Sequence, residues 1–367
     1  MVSTELPLKY TPLESKHAVL LARMGEFAGW NMPIRYPQGI IAEHRHTREK
    51  VSLFDICHMG EFRISGRNAA AGLERLLPRK VVDQKIGTCR YNFLLTEQGT
   101  VRDDLLVYRM SEHEFYLVVN AGTAPSDAEW LRQELSMDTI FVDESAETAK
   151  LDLQGPLAFE VLSDLGVEPA MIPRYYRWVR AQLCGCNILL SRTGYTGERG
   201  VELYFRQELA PSLWEALLQH PLVEPAGLGA RDTLRLEMGY PLYGHELNLE
   251  TTPVEAGFGR LLHLEGREFV GADVLRQPPN KRLAGFALEG RRAARAGATV
   301  WSVGGQEIGF VTSGAYGPSI GKAIALGFIH GKDEPPCGMQ VKLGVSFDKA
   351  IPAKVTPLPF RDSNVLK

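Results

Sequence analysis

The chain has 367 residues, of which 44% are hydrophobic and 23% charged, and its formal net charge is −3 at pH 7. A chain of this length exceeds one simple core, so we expect two or three packed lobes of an ordinary globular protein. The near-neutral charge and the lack of an apolar run of about 18–20 residues argue against a nucleic-acid or membrane partner.

The N-terminal stretch MVSTELPLKYTPLESKH has no apolar segment and no Arg-rich, acid-poor composition, so we expect neither a signal peptide nor a transit peptide. The odd number of cysteines, five, favours a reducing compartment, and we predict a cytoplasmic location. One residue separates Cys184 from Cys186, unlike the two-residue gap of redox and zinc motifs. The alternation in CNILLSR predicts that both cysteines point to one face of a strand and serve in packing.

The segment EFYLVVNAGTAPSDAEWLRQEL predicts a strand that ends at Asn120, a polar turn, and an amphipathic helix capped by Ser126 or Asp127. The segment GVELYFRQELAPSLWEALLQH repeats this pattern, with Pro211 and Ser212 near the start of its helix. Strands that alternate with helices in this way favour α+β lobes with antiparallel or mixed sheets.

A proline-rich break, PPNKR at 278–282, ends the last helical pattern. Beyond it, LAGFALEG, ATVWSVGGQEIGFVTSGA, AIALGFI and QVKLGV are typical of short alternating strands separated by glycine-rich turns. We therefore predict a small all-β domain, a sandwich or a barrel, from about residue 281 to the end.

Motifs of the common nucleotide-binding and hydrolase chemistries do not occur. The chain lacks a P-loop and a Gly-x-Ser-x-Gly elbow, and GLGARD lacks the third glycine of a dinucleotide fingerprint. His44 and His46 do not share a helix face, so we predict no metal site. The carboxylates Asp103 and Asp104 remain. If the pair lies on a strand, alternation lets only one of the two face a given cavity. The alternative is that the pair lies at the tip of a hairpin turn exposed to water.

Longer motifs follow one another along nearly the whole chain. They are TPLESKH (11–17), FAGWNMPIRY (27–36), the 43–48 stretch, SLFDICHMGEF (52–62), GTVRDDLLVY (99–108), LVVNAG (117–122), LQGP (153–156), SRTGYTGERGVE (191–202), GLGARDTLRLEMGYPLYG (227–244), TTPVEAG (251–257) and VTSGAYGPSIGKAIAL (311–326). In kind and order they resemble the aminomethyltransferase family, the T-proteins of the glycine cleavage system.

The resemblance implies an α+β fold of three domains around a central cavity that holds tetrahydrofolate. Two domains are discontinuous α+β lobes, predicted over residues 1–52 with 144–245 and over 53–143 with 246–280. The third is a C-terminal β-barrel over 281–367, in agreement with the break in pattern near residue 280.

The same resemblance assigns site residues. Asp104 matches the catalytic carboxylate, which lies beside the folate nitrogens in the family. Glu202 matches the position that recognises the pterin ring, where one carboxylate can accept from both the 2-amino group and N3–H. Arg231 matches an arginine of the folate site, whose planar fork can bind an oxygen or stack on a ring. The other positions that match the cavity lining are Tyr91, Asn120, Tyr195 and Tyr240.

In the family, glycine decarboxylation leaves an aminomethyl group on the lipoyl arm of H-protein. Its carbon is transferred to tetrahydrofolate, which gives methylene-tetrahydrofolate, ammonia and a dihydrolipoyl arm. The resemblance thus implies a transferase of glycine catabolism and one-carbon metabolism, with tetrahydrofolate as co-substrate and H-protein as partner. Positioning in a water-poor cavity can supply much of the catalysis, and a carboxylate can orient or deprotonate a folate amine. We expect no metal or redox cofactor.

Four positions depart from the family pattern. Arg260 stands where tryptophan is frequent and Asn248 where aspartate is frequent, while Gly317 and Cys57 replace common serines. The change at Arg260 bears on the cavity wall, and therefore on the identity of the substrate more than on folate binding.

Three alternative functions stay open at this point. A folate-dependent demethylase of a methylated glycine or of dimethylsulfoniopropionate would share the folate pocket and differ in its substrate channel. The non-enzymatic relative of iron–sulfur maintenance has a Lys-Gly-Cys-Tyr-type motif where this chain has TGYTGERG. A domain of a flavin-linked sarcosine or dimethylglycine dehydrogenase would require an N-terminal dinucleotide fingerprint, whereas this sequence begins with the transferase motif.

Overall fold

A computed structural model describes residues 7–366 of the chain. Over these residues the strands are, in chain order, β1 (Lys9–Tyr10), β2 (Arg23–Phe27), β3 (Trp30–Arg35), β4 (Val51–Asp55), β5 (Gly60–Ser65), β6 (Cys89–Leu95), β7 (Val101–Ser111), β8 (Glu114–Val119), β9 (Ile140–Asp143), β10 (Thr148–Gln154), β11 (Trp178–Leu183), β12 (Cys186–Ser191), β13 (Gly200–Arg206), β14 (Val223–Pro225), β15 (Lys281–Leu288), β16 (Thr299–Ser302), β17 (Glu307–Gly317), β18 (Lys322–His330), β19 (Gln340–Gly344) and β20 (Ile351–Thr356).

The α-helices are α1 (Glu14–Val19), α2 (Ile40–Glu49), α3 (Ala69–Leu76), α4 (Ala124–Glu134), α5 (Ala158–Asp164), α6 (Ala210–Leu218), α7 (Leu228–Glu237) and α8 (Ala272–Leu275). Single turns of 3-10 helix occur at Pro169–Met171, Gln207–Leu209, Gly259–Leu261 and Phe347–Lys349. Among the described helices, none is long and apolar enough to cross a membrane.

A six-stranded sheet has the order β11-β12-β13-β10-β4-β14, and its pairs are antiparallel except for β14 with β4. Helices α5 and α6 cover one of its faces. As predicted, α6 carries Pro211 in its first turn, and it buries Leu213, Trp214 and Leu217. The apolar side of this sheet packs on these helices, so its other side is free to carry polar residues.

A five-stranded antiparallel sheet has the order β6-β7-β8-β5-β9. One face packs against α3 and α4 through residues such as Leu73, Val107 and Leu131. The opposite face meets the six-stranded sheet, where Tyr108 of β7 hydrogen-bonds Tyr204 of β13 at 3.0 Å. Alternate residues of β7 therefore face either the helices or the second sheet.

Helix α4 begins earlier than the sequence predicted. Thr123 occupies the cap position and Pro125 lies in the first turn, so the prediction of a cap at Ser126 or Asp127 is wrong. Proline is favoured in the first turn because its missing N–H has no helical partner there. Asp127 instead lies inside the helix and is fully buried.

The C-terminal strands close into a barrel in the order β15-β18-β17-β16-β19-β20, with β20 paired to β15. Helix α8 ends at Leu275 and β15 begins at Lys281, so the proline-rich break separates the two patterns as predicted. Within the barrel, a Cβ at Gly327 would collide with the carbonyl oxygen of Phe310 on the neighbouring strand. The predicted α+β class and the C-terminal barrel are confirmed.

The prediction for the close cysteine pair is wrong. Cys184 and Gly185 form the turn between β11 and β12, with φ angles of 49° and 78°, and Cys186 begins β12. Cys184 is exposed and Cys186 is buried, so they do not share a strand face. Gly185 adopts the left-handed backbone conformation that a tight hairpin requires. The glycine therefore indicates a turn at this point, and the alternating strand pattern begins only after it.

The sequence-based division into lobes stays a prediction. Strand β4 runs to Asp55 and pairs with β10 and β14 of the six-stranded sheet, whereas the proposed first segment of lobe one ends at residue 52. The apolar cores of the six-stranded sheet, the five-stranded sheet and the barrel are separate groups of residues, which supports a division into three.

Candidate active site

Asp104 lies on β7 and faces the six-stranded sheet. Its Oδ2 accepts a hydrogen bond of 2.9 Å from the Tyr91 hydroxyl, and its Oδ1 accepts one of 3.0 Å from Nδ2 of Asn120. Burial, assisted by the charge of Asp103, raises the pKa of Asp104 to about 7. A carboxyl group with this pKa can gain or lose a proton near neutral pH.

Asp103 points the other way, toward helix α4. It is fully buried and accepts hydrogen bonds of 2.9 and 2.8 Å from the backbone N–H and Nδ2 of Asn120. Burial and the adjacent Asp127 raise the pKa of Asp103 well above its usual value, because two buried carboxyl groups in contact cannot both ionise. The pair at 103 and 104 thus lies inside a strand, and the hairpin-turn alternative is wrong.

Glu202 lies on β13, with 4% of its surface exposed. Its Oε2 accepts hydrogen bonds from Thr193 Oγ1 at 2.7 Å and from the Tyr204 hydroxyl at 2.9 Å, and Lys150 Nζ lies 3.4 Å from Oε1. Burial alone would raise the pKa of Glu202, but Lys150, Thr193 and Arg231 together lower it. The group is therefore a carboxylate, and Oε1 retains capacity for a further donor.

Arg231 extends from helix α7 and forms a salt bridge with Asp152, which pairs with Glu202 in the β10–β13 ladder. Its guanidinium carbon lies 5.1 Å from the centre of the Tyr195 ring, within the range of a cation–π interaction. Tyr195 stacks on Tyr240 with ring centres 5.8 Å apart. The arginine is thus held between a carboxylate and a pair of stacked aromatic rings.

The seven sequence-predicted residues form two groups. Tyr91 and Asp104 lie in the five-stranded sheet and bond each other, and Asn120, directly after β8, bonds Asp104. The second group comprises Glu202, Arg231, Tyr195 and Tyr240. Burial raises the pKa of Tyr195, and the negative charge of Asp104 adds to that rise. This electrostatic effect requires proximity, so Asp104 of the first group lies near Tyr195 of the second.

A groove of about 1090 Å³ lies elsewhere and is lined by residues of both sheets. Its lining includes Arg63, Tyr116, Arg180 and Tyr204, and it includes none of the seven predicted residues. The Tyr204 ring lines the groove while its hydroxyl bonds Glu202. Tyr204 therefore lies between the groove and the candidate site.

Several buried polar residues beside the site were not predicted. Lys150 and Asp152 lie two apart on β10 and face Glu202, and two charges in the apolar strand TAKLDLQ were a signal available in the sequence. His58 has a buried Nδ1 without a hydrogen-bond partner among the described residues, and burial lowers its pKa to about 4. It is therefore neutral at physiological pH.

Of the departures from the family pattern, Cys57 contacts the strand of the site, since its Sγ donates to the backbone carbonyl of Lys150 at 3.3 Å. Arg260 is exposed on the turn Gly259–Leu261, and Asn248 lies in a turn where its Oδ1 accepts from the backbone N–H of Glu250. Within residues 7–366, no three His, Cys, Asp or Glu side chains group in a way that could hold a metal ion.

Two family models match the chain. A model described as the GCVT N-terminal domain matches residues 13–266, and one described as the glycine cleavage T-protein C-terminal barrel domain matches residues 281–362. The second match begins at residue 281, within the proline-rich break at 278–282.

Similar proteins share the name aminomethyltransferase. An aminomethyltransferase of Chloroherpeton thalassium is 41% identical, over 88% of this chain and 91% of that protein. One of Rubrobacter xylanophilus is 42% identical, over 96% of this chain and 94% of that protein. The crystal structure of glycine cleavage system aminomethyltransferase T from Bartonella henselae superposes with a TM-score of 0.92 at 35% identity, over 98% of this chain and all of that one.

Proposed function

The chain belongs to the glycine cleavage T-protein family, and on that premise we propose that it moves the aminomethyl carbon of a lipoyl-bearing H-protein to tetrahydrofolate. It is an aminomethyltransferase, a transferase of glycine catabolism, with tetrahydrofolate as its co-substrate. Methylene-tetrahydrofolate, ammonia and a dihydrolipoyl arm are the products in this proposal.

One observation carries the assignment of residues: Asp104, whose pKa burial raises to about 7, acts electrostatically on Tyr195, and the Tyr195 ring lies 5.1 Å from the guanidinium carbon of Arg231. Groups of different protonation behaviour in one site are typical of acid–base chemistry. Asp104 comes from β7, Tyr195 from the loop before β13 and Arg231 from helix α7. The fold rather than local sequence therefore brings these three residues together.

The residues present fit a reduced pterin. Oε1 of Glu202 has free acceptor capacity for a ring N–H or the 2-amino group, while Oε2 already accepts two hydrogen bonds. The stacked rings of Tyr195 and Tyr240 offer an aromatic wall. We therefore assign pterin recognition to Glu202 and the wall of the site to the two tyrosines, with Arg231 beside them.

Asp104 is the residue to which we assign the chemistry. Its two oxygens are held by Tyr91 and Asn120, which fixes its orientation. As a carboxylate it can accept a proton from a folate amine or stabilise positive charge that develops on the carbon in transfer. A bound folate supplies the nucleophilic nitrogens, and the protein supplies their placement.

H-protein as partner and a cytoplasmic location complete the proposal. The name of the family and of the similar Bartonella protein supports the partner. The odd number of cysteines, five, supports a reducing compartment.

The demethylase alternative is not favoured, because the similar proteins carry the name aminomethyltransferase. A direct test offers the purified protein two substrates with tetrahydrofolate: aminomethylated H-protein, or a methylated glycine and dimethylsulfoniopropionate without H-protein. We expect methylene-tetrahydrofolate from the first alone. Turnover of the small methylated compounds at a comparable rate would replace this proposal with the demethylase.

A further inference from the structure

Lys150 is a buried lysine that the assigned chemistry does not use. Only 1% of its surface is exposed. Its Nζ lies 3.4 Å from Oε1 of Glu202 and 3.3 Å from Sδ of Met59, and 5.1 Å from the centre of the Tyr204 ring. A thioether and an aromatic face are weak partners for an ammonium group. Glu202 is therefore its one strong acceptor among the contacts described.

The charges around Lys150 balance. Lys150 and Arg231 face the carboxylates of Glu202 and Asp152. Glu61, the third carboxyl group of the cluster, has a buried Oε1 without a hydrogen-bond partner among the described residues. Burial raises the pKa of Glu61 well above its usual value, so its surroundings favour the protonated form. Removal of one cation would leave a buried carboxylate unbalanced, which is costly.

Glu61 also serves as an internal comparison for Glu202. Both are buried glutamates that face Lys150. Glu61 has no donor at Oε1, whereas Glu202 receives two hydroxyl donors at Oε2 and has the ammonium group at Oε1. The difference in their surroundings raises the pKa of Glu61 and lowers that of Glu202 within one cluster.

We propose that Lys150 is a positioning residue for folate recognition, which holds Oε1 of Glu202 in place as an ionised acceptor for the pterin. The inference rests on the proposed function, because it assigns to Lys150 a role in a site that binds folate. Lys150 itself does not contact the folate. It acts through Glu202, and its effect on folate must vanish when Glu202 can no longer ionise.

The other groups around Glu202 set the pH range for a test. Besides Lys150 and Arg231, the titratable residues that face it are Glu61, Cys89, Tyr108, Asp152, Tyr176 and Tyr204. Burial raises the pKa of the thiol and of the three phenols, and raises that of Asp152 to about 6. Between pH 7 and pH 9 the Cys89 thiol and the three phenols are neutral, and Asp152 is ionised. Glu61→Gln removes the remaining titratable carboxyl group.

The test is anaerobic fluorescence titration with tetrahydrofolate at pH 7, 8 and 9. The variants are Lys150→Met, which keeps the length of the side chain, Glu202→Gln, the double variant, and Glu61→Gln as the matched control. We expect Lys150→Met to bind at least about tenfold more weakly than the unchanged protein at pH 7. The deficit should shrink as the pH rises, because each pH unit increases the ionised fraction of Glu202 by up to about tenfold.

In the Glu202→Gln background, Lys150→Met should alter the affinity by less than about twofold, since no ionisable partner remains. An affinity of Lys150→Met equal to that of the unchanged protein, or the same deficit at all three pH values, would overturn the inference. A folate affinity of the double variant that is clearly weaker than that of Glu202→Gln would also overturn the inference. This comparison can be made even if Lys150→Met alone does not fold. Absence of folate binding by the unchanged protein would instead refute the proposed function.

Discussion

At the scale of single residues, strand alternation distinguishes two adjacent aspartates. Asp104 faces the second sheet and is bonded to Tyr91, while Asp103 faces helix α4 and Asp127. One residue step reverses the direction of a side chain on a strand, so neighbours in sequence enter different environments. The shared partner is Asn120, whose Nδ2 contacts both carboxyl groups.

Asp104→Asn should lower the single-turnover rate of methylene-tetrahydrofolate formation by about 10²–10⁴-fold while folate still binds, because a positioned acid–base group is lost. In the unchanged protein the rate should rise as the pH increases through about 7, where Asp104 ionises, and the variant should lack that rise. Asp103→Asn is the matched control, with a loss below about tenfold expected. A collapse in the control alone would show that the wrong aspartate is assigned.

Glu202→Gln should weaken folate binding by about 1.5–3 kcal/mol and affect the bound-state rate less, because an amide N–H would oppose the N–H groups of the pterin. Fluorescence titration measures the affinity. Glu198→Gln is a suitable control in the same motif, since the Glu198 carboxylate is bonded to Arg48 and Arg361 and not to the candidate site. Equal affinities of Glu202→Gln and the unchanged protein would move pterin recognition to another residue.

At the scale of secondary-structure elements, α4 buries the carboxyl group of Asp127 near that of Asp103 on β7. Burial raises the pKa of Asp127 to about 7, above its value of about 3.9 in an unfolded chain. A raised folded-state pKa means that folding favours the protonated form. The contribution of Asp127 to stability is therefore most favourable below about pH 4 and is lost as the pH rises toward 7.

Asp127→Asn should remove this dependence and leave an amide that can donate to Asp103. We expect the variant to gain about 1–3 kcal/mol relative to the unchanged protein at pH 7.5, and little at pH 4. Thermal unfolding at the two pH values measures the difference, with Glu129→Gln, an exposed carboxylate on the same helix, as control. A variant less stable than the unchanged protein at pH 7.5 would show that the carboxyl pair is a net stabilising contact.

The elements themselves follow largely from local sequence, but their contacts do not. The periodicity of α6 and the glycine-rich strands of the barrel specify structure within about ten residues. The burial of Asp127 against Asp103 depends on α4 crossing a sheet formed by distant strands, so no local pattern encodes it. Similarly, Lys150 meets Glu202 only because β10 pairs with β13. The seven site residues are predicted by resemblance to a family, because local spacing alone does not distinguish them from other residues of the same type.

At the scale of the whole molecule, the C-terminal segment beyond the barrel is tied back to the six-stranded lobe. Glu198, in the loop before β13, accepts hydrogen bonds from Arg48, Arg361 and Asn364. Arg48 also bonds Glu237 of helix α7, which accepts from the backbone N–H of Ser319 in the barrel. This buried network connects elements far apart in the chain.

Glu198→Gln should therefore destabilise the protein by about 1.5–3 kcal/mol, because two arginines lose a charged acceptor. The melting temperature should fall, and folate affinity measured below the transition should be unchanged. Glu208→Gln, an exposed carboxylate outside the network, controls for the loss of a charge. Loss of folate affinity without loss of stability would place Glu198 in the binding site.

The most direct test of the central claim is the reaction itself. The purified protein is incubated with tetrahydrofolate and aminomethylated H-protein, and ammonia and methylene-tetrahydrofolate are measured over time. We predict equal amounts of the two products, dependence on both substrates, and a rate reduced at least about 10²-fold in Asp104→Asn. Release of neither product by a folded, folate-binding protein would contradict the assignment as an aminomethyltransferase that acts on H-protein.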